Sequence, residues 1–278
     1  MGLIAFGWYG GKYSHLSWLL PLLPAAQHYC EPYGGSAAVL LNRAPSLLET
    51  YNDLDGDLVI FFRVLRQDRA RLIEQIGLTP FARQELTLAL PGPQDELLSD
   101  LERARRFYVR ARQVRTGLAQ TASTGRWAHC RLTSRAGMAA AVSRWLGGVE
   151  GLDAIAQRLL RVQIEHGPAL ATIARYDSPQ TLFYCDPPYV HSSRRDRHAY
   201  GHEMDDAAHR ALAQTLHACR GLVALSGYPC RLMDECYPDW TRLLGPQQRC
   251  HSAKTLRQEA LWVNPALLAV LPAGRTAV

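Results

Sequence analysis

Thr181-Leu182-Phe183-Tyr184-Cys185 is an uncharged run that ends directly in Asp186-Pro187-Pro188-Tyr189. The run has the composition and length of a buried strand. The two prolines remove two backbone donors and stiffen the turn that follows, so nearby carbonyls stay free to accept from a ligand. Asp186 then stands at the carboxyl end of a strand, where open α/β sheets bind their ligands. Tyr189 adds an aromatic face on which a base can stack. Average residue frequencies put this tetrapeptide in only about one chain in a thousand of this length.

The surrounding pattern is α/β. His28 to Glu31 reads as a strand end, followed by the turn-rich Pro32-Tyr33-Gly34-Gly35-Ser36 and a helical run from Ala37 to Asn42. Leu47 to Asn52 reads as a second strand, ending in the acidic Asn52-Asp53-Leu54-Asp55-Gly56-Asp57, and Leu58 to Leu65 has helical apolar spacing. Strand, glycine loop, helix, strand and acid is the order of a nucleotide-binding unit, although the glycines do not match GxGxxG. Between about residues 67 and 157 strand-like runs vanish, and helices are expected over 95–114 and 136–146. The α/β pattern resumes with strands at 161–164, 181–185, 222–226, near 240 and at 260–263, and helices from 168 and over 205–219. The expected fold is therefore a Rossmann-like α/β domain (1–66 and 158–270) interrupted by a mostly helical insertion (67–157). A frayed tail follows (271–278).

Asp186 and the Pro187 carbonyl suit an exocyclic amine. An adenine or cytosine amino nitrogen is a poor nucleophile because its lone pair is delocalised into the ring. Two acceptors for its hydrogens draw the nitrogen toward a tetrahedral, nucleophilic form. Such an atom is out of reach inside a duplex, so the base must flip out, and attack on a methyl sulfonium is then governed mainly by positioning. Asp186, Pro187 and Tyr189 are the candidate catalytic residues.

The charge pattern points to a polyanion. The chain of 278 residues has a net charge of +6, and 29 of its 31 basic residues are Arg. Between Arg103 and Arg144 there are ten Arg and no Asp, Glu or Lys, which divides the total into +10 there and −4 elsewhere. Arg103, Arg105, Arg106, Arg110, Arg112 and Arg115 crowd one expected helix and its exit, where like charges repel unless screened. Arg126, Arg131 and Arg135 continue the pattern in a loop that can reach base edges, and Arg194, Arg195 and Arg197 follow the proline turn. Seven cysteines without a CxxC pair argue against a disulfide framework or a zinc site, and the histidines are too irregularly spaced for a metal. No run is long and apolar enough for a membrane span, and the first residues lack the basic start of a secretory signal. A reducing, cytoplasmic setting is expected.

Taken together, these blocks resemble the Dam-type, alpha-ordered family of adenine-N6 DNA methyltransferases, most closely the versions common in phages and prophages. Trp8-Tyr9-Gly10-Gly11-Lys12 is similar to the family's first cofactor block. Glu31 to Val39 is similar to its glycine loop, with Ala37 in place of the last glycine and close to the cofactor's approach. Asn52 to Asp55 is similar to its acidic block, and His202-Glu203-Met204, Leu225 to Tyr228 and Glu259 to Asn264 to its later blocks. The resemblance implies S-adenosylmethionine as cofactor, held by Trp8, Lys12, Tyr33, Gly34, Gly35, Asp53 and Asp186, with Glu165 near its adenine. It implies no metal, and duplex DNA as partner, bound through Arg106, Arg110, Arg112, Arg115, Arg126, Arg131, Arg135, Arg194 and Arg195. It also implies nucleoid association without a required protein partner, whether the enzyme acts alone or beside a restriction enzyme. Cytosine-N4 or RNA amino groups fit the same chemistry, and a catalytically idle DNA-binding relative fits the charge. An oxidoreductase does not explain the proline turn.

Overall fold

Thr181–Cys185 is a strand buried along its whole length, and the computed structural model sets it at the centre of a seven-stranded sheet. The structure describes residues 2–93, 95–117, 119–193, 201–249 and 256–272. The strands are β1 (His28–Glu31), β2 (Leu48–Asp53), β3 (Ser134–Arg135), β4 (Met138–Ala139), β5 (Gln163–His166), β6 (Thr181–Cys185), β7 (Leu222–Gly227), β8 (Thr241–Arg249) and β9 (Leu256–Val263). The sheet order is β5-β2-β1-β6-β7-β9-β8, and β3 and β4 form a separate hairpin. β5, β2, β1, β6 and β7 are mutually parallel, while β9 runs antiparallel to both β7 and β8.

This is a Rossmann-like methyltransferase fold: a mostly parallel sheet with an antiparallel pair at one edge. From β1 the chain builds outward through β2 to β5, and from β6 it builds the other way. The order therefore reverses between β1 and β6, which opens a crevice at their carboxyl ends. Cys30 pairs with Phe183 in that register, so Glu31 and Asp186, just beyond the paired residues, flank the crevice.

Strand alternation supplies two cores. Tyr29, Tyr51, Leu182 and Tyr184 face one apolar cluster with Phe6, Phe61, Phe62 and Phe107. Cys30, Phe183 and Cys185 face the other with Leu225, Trp240 and Trp262. The helix Gly56–Gln67 covers the first face, started by Asp55, whose Oδ1 accepts from the Asp57 and Leu58 N–H groups. Against it lies the helix Asp100–Gln113, with the Tyr108 ring stacked on Phe61 at 5.5 Å between centroids.

Two expectations change. Residues 95–114 are not one helix: a 3₁₀ turn at Asp95–Leu97 is followed by extended Ser99, whose side chain caps Asp100–Gln113. Residues 136–146 begin as a hairpin, because Ala136 (φ 51°) and Gly137 (φ 74°) both adopt the left-handed conformation of a two-residue reverse turn. The helix starts only after it, at Ala140–Glu150. Side chains of residues 67–157 join the core of the sheet domain. Leu72, Ile76, Phe107, Tyr108, Trp145 and Ile155 belong to the same cluster as Phe61 and Phe62. Of the expected tail, residues 273–278 lie outside the described residues.

Candidate active site

A cavity of about 270 Å³ opens at the strand-order reversal. Trp8, Lys12, Tyr33, Gly34, Gly35, Asp53 and Asp186 all contribute to its wall, together with Glu31, Leu170, Gln120 and Met204. Three loop systems converge there. The glycine loop after β1 is held to β2 by the Gly34 N–H donating to the Asn52 carbonyl (2.8 Å) and by the Tyr51 hydroxyl donating to the Gly35 carbonyl (2.8 Å). Asp53, at the end of β2, accepts from the Gly35 N–H (2.8 Å) and the Asp55 N–H (2.9 Å). Gln120 donates to Asp55 Oδ2 (2.8 Å) and accepts from the Gly201 N–H (2.8 Å), a strap across the mouth.

The carboxylates on this wall are displaced from their usual range. Burial pushes Asp53 up to about 6, against backbone N–H groups that favour its anion. Burial likewise raises Glu31 to about 8, although the Tyr29 hydroxyl donates to its Oε1 at 2.7 Å. Asp186 is also raised, by burial first, while Lys12 draws it back toward the anion and Glu259 adds to the rise.

Lys12 sits at the centre of this charge. Only 3% exposed, its ammonium pairs with Asp186 Oδ2 at 2.8 Å and donates to the Gly10 carbonyl at 2.6 Å. It also lies 3.8 Å from Glu259 Oε1 and 5.0 Å from the centre of the Tyr189 ring. Burial alone would lower the Lys12 ammonium, but Asp186 and Glu259 hold it above the usual lysine range. Lys12 thus touches the proline turn as well as the cavity. Tyr189 is buried beneath it at 4% exposure, edge-on to Tyr228 at 4.9 Å between centroids. The ammonium lies over one face of its ring.

Several sequence-based assignments are corrected. Glu165 does not reach the cavity wall: its oxygens accept from the Tyr176 hydroxyl (2.6 Å) and Arg175 (3.0 Å). Gly167, Pro168, Ala169 and Leu170 line the cavity at that end. Ala37 does not crowd it either. Its left-handed backbone (φ 55°) starts the helix Ala38–Asn42 and turns its methyl group into the core. Pro187 and Tyr189 line a small pocket of about 10 Å³ beside the cavity, not the cavity itself.

The crowded arginines are largely paired within the chain. Arg103 and Arg110 both bind Asp57, at 2.7 and 2.6 Å. Arg105 binds Glu102 and Glu85, and Arg106 binds Glu102 and Asp95. Arg110 is 5% exposed and also donates to the Ala89 carbonyl at 2.7 Å. Arg110 is therefore nearly buried in its pairing with Asp57, and Arg106, 23% exposed, is held by Glu102 and Asp95. Their counter-charges lie just before the acid-free stretch or on packed neighbours, where counting along the chain does not register them. Arg112 donates to the Arg144 carbonyl, Arg126 to Thr121, and Arg115 contacts His129. Arg131 and Arg135 stand exposed on and beside the β3–β4 hairpin, next to Leu132 at 98% exposure. Arg194 and Arg195 lie outside the described residues.

Glu31, Gln120 and Glu259 were not among the expected site residues. Glu31 and Glu259 each carry the sequence signal of an acid at the end of, or within, a buried strand; nothing in its local sequence marks Gln120. Among the described residues, no helix is long and apolar enough to cross a membrane.

The fold is Rossmann-like, with its cavity at the strand-order reversal. The D12 class N6 adenine-specific DNA methyltransferase family matches residues 8–251, and the chain belongs to that family. It is an adenine-specific DNA methyltransferase. No curated protein matches the sequence. Among solved structures the chain is similar to the rRNA methyltransferase AviRa from Streptomyces viridochromogenes, with 11% identity, 96% of this chain and 89% of that chain covered, and a TM-score of 0.38.

Proposed function

We propose that the enzyme transfers the methyl group of S-adenosylmethionine to N6 of an adenine flipped out of duplex DNA. One arrangement carries this reading. The Asp186 carboxylate, at the carboxyl end of β6, faces the same cavity as Trp8, Gly34, Gly35 and Asp53. The residues fit the cofactor: aromatic and apolar walls suit a nucleoside, and buried acids suit hydroxyls and a cation. The Asp186 carboxylate is buried, with Lys12 and Tyr189 as the side chains that favour its anion. Asp53 accepts ribose hydroxyls, Trp8 and Tyr33 cover apolar surface, and Glu31 faces positive charge. When bound, S-adenosylmethionine supplies an electrophilic methyl group on a sulfonium. Asp186 and the Pro187 carbonyl accept the two N6 hydrogens, orienting the nitrogen lone pair toward that methyl, and Tyr189 supports the base. Residues 67–157 serve target recognition on the catalytic frame of 1–66 and 158–270.

Nucleosides from DNA of cells expressing the protein should contain N6-methyladenine by mass spectrometry. Modified-base sequencing of the same DNA should place it in one short motif. Methylation confined to N4 of cytosine or to RNA, or a purified protein that does not bind S-adenosylmethionine in calorimetry, would refute the proposal.

Cofactor affinity should depend on Asp53. The anion is the better acceptor for hydroxyls, and burial sets its titration at about 6. Lowering the pH through 6 protonates it, so affinity should fall toward a limit of about ten-fold per pH unit, as expected for uptake of one proton. Asp53→Asn should remove the break near pH 6 in calorimetric titrations between pH 5 and 8, leaving only the slope that Glu31 contributes below about 8; an unchanged break near 6 would remove Asp53 from the cofactor site.

DNA contact should divide the arginines. Arg131→Ala with Arg135→Ala should weaken DNA binding roughly ten-fold and flatten its salt dependence by up to about two counter-ions. Arg110→Ala should instead cost about 2 kcal/mol of stability, because it strips a nearly buried partner from Asp57 while Arg103 remains. Filter binding across a salt series and thermal melts separate the two effects.

A further inference from the structure

Lys12 occupies the place where the proposed reaction needs the substrate. Its ammonium is bonded to the Asp186 oxygen Oδ2 and covers the ring of Tyr189. An arriving amine competes with the ammonium for that oxygen, and a base on that face of the ring competes with it for the same space. Its short tether to the Gly10 carbonyl, at 2.6 Å, lets it pivot but not leave. One other anion is within reach. Glu259, on β9 and 9% exposed, holds Oε1 at 3.8 Å from the ammonium, and its Oε2 is buried without a hydrogen-bond partner in the chain. That distance is an ion pair not yet closed to a hydrogen bond.

We infer that Lys12 is a transferable counter-ion, released from Asp186 by the arriving amine and received by Glu259. This rests on Asp186 being the acceptor for the target amine. In the free enzyme the ammonium keeps a buried carboxylate ionised without water. When the neutral amine enters, the ammonium moves about an ångström toward Glu259, and the charge of the site is unchanged. Asp186 stays anionic and its Oδ2 is given over to the amine. Lys12 and Glu259 are thus positioning residues, acting on the base through Asp186.

The groups facing this cluster are few. Asp186 is met by Lys12, Glu259, Tyr184 and Tyr189, and at longer range by Glu31. Lys12 also faces Tyr228. His15 lies 3.7 Å from Glu259 Oε2, but burial and Lys12 push it down to about 4, so it is neutral in the working range. Glu259 is therefore the only anion beside Lys12 other than Asp186 among the described residues.

Steady-state methylation with pH profiles, on four variants of the full chain, tests this. Glu259→Gln strands the ammonium on Asp186, so kcat should fall ten-fold or more while S-adenosylmethionine affinity stays within about three-fold. Removing a like charge should also move the acid limb of kcat/KM to lower pH. Lys12→Met removes the counter-ion, so the same limb should move to higher pH, with activity returning above it. The double variant, with no ammonium to strand, should exceed Glu259→Gln alone above that limb. A residue that merely supports the fold would produce neither opposite shifts nor that rescue. Wild-type kcat in Glu259→Gln, limbs that move in the same direction, or a double variant no better than Glu259→Gln would each overturn the inference. If Glu259→Gln does not fold, an unmoved acid limb in Lys12→Met overturns it alone. Asp186→Ala is the control: substantial turnover there defeats the reading of the site itself, whereas inactivity there with a normal Glu259→Gln defeats only the transfer of Lys12.

Discussion

Replacing Asp186 by Ala should lower the rate of methyl transfer by about two hundred- to a thousand-fold, with DNA affinity within a few-fold of wild type. The size follows from the role. A buried, preorganised anionic acceptor aimed at a group whose charge changes in the transition state is worth about 3–4 kcal/mol, as for oxyanion-hole donors. The fold should survive, because Asp186 begins a loop at the end of a complete strand and Lys12 keeps two other partners, the Gly10 carbonyl and Glu259. Single-turnover methylation with bound cofactor, beside a thermal melt and a DNA-binding titration, measures all three quantities. Near-normal turnover would remove Asp186 from the chemistry.

Gly34→Ala should produce the largest loss of stability of any single methyl addition on the cavity wall. A Cβ at Gly34 would lie 2.1 Å from Cε2 of Tyr51. The ring cannot retreat: Tyr51 is fully buried, edge-on to Phe62 at 5.1 Å, and tied by its hydroxyl to the Gly35 carbonyl. Overpacking of this kind costs about 3 kcal/mol, which lowers Tm by roughly 6–12 °C in a chain of this size. Cofactor affinity should fall with it, since the strained loop carries the N–H that holds Asp53. Gly167→Ala is the contrast. It lines the same cavity, yet its added Cβ meets nothing within 4 Å, so its stability should stay within about 0.5 kcal/mol of wild type. Equal losses in the two variants would mean that Gly34 is not required by Tyr51.

Much of the catalytic frame was legible in the chain. Thr181–Cys185 is recovered residue for residue, and β1 and β2 to within a residue, because buried strands bounded by prolines and glycines leave strong local marks. The β3–β4 hairpin was not legible: its turn is Ala-Gly, and alanine is a poor indicator of left-handed backbone. Trp8, Gly34, Gly35 and Asp53, far apart in the chain, do meet on one cavity wall, whereas the Glu165 carboxylate is taken by Tyr176 and Arg175 from the following helix. Glu259 could not be connected to Lys12 by spacing, since 246 intervening positions separate them and only the order of β6, β7 and β9 brings them together.

Charge shows the division most clearly. Composition determines that the chain is basic, that arginine supplies nearly all of the basic side chains, and that one stretch of forty-two positions holds ten of them without an acid. Those facts are properties of the order of residues and need no structure. Which arginines remain free is a property of distance. Folding the helix Asp100–Gln113 against Gly56–Gln67 brings Asp57 to Arg103 and Arg110, and Glu85 and Asp95 close on Arg105 and Arg106. A Coulomb interaction between near neighbours in space outweighs any count along the chain. The densest run of positive charge is consequently paired largely within the protein, while Arg131 and Arg135 stand exposed beside and on the hairpin.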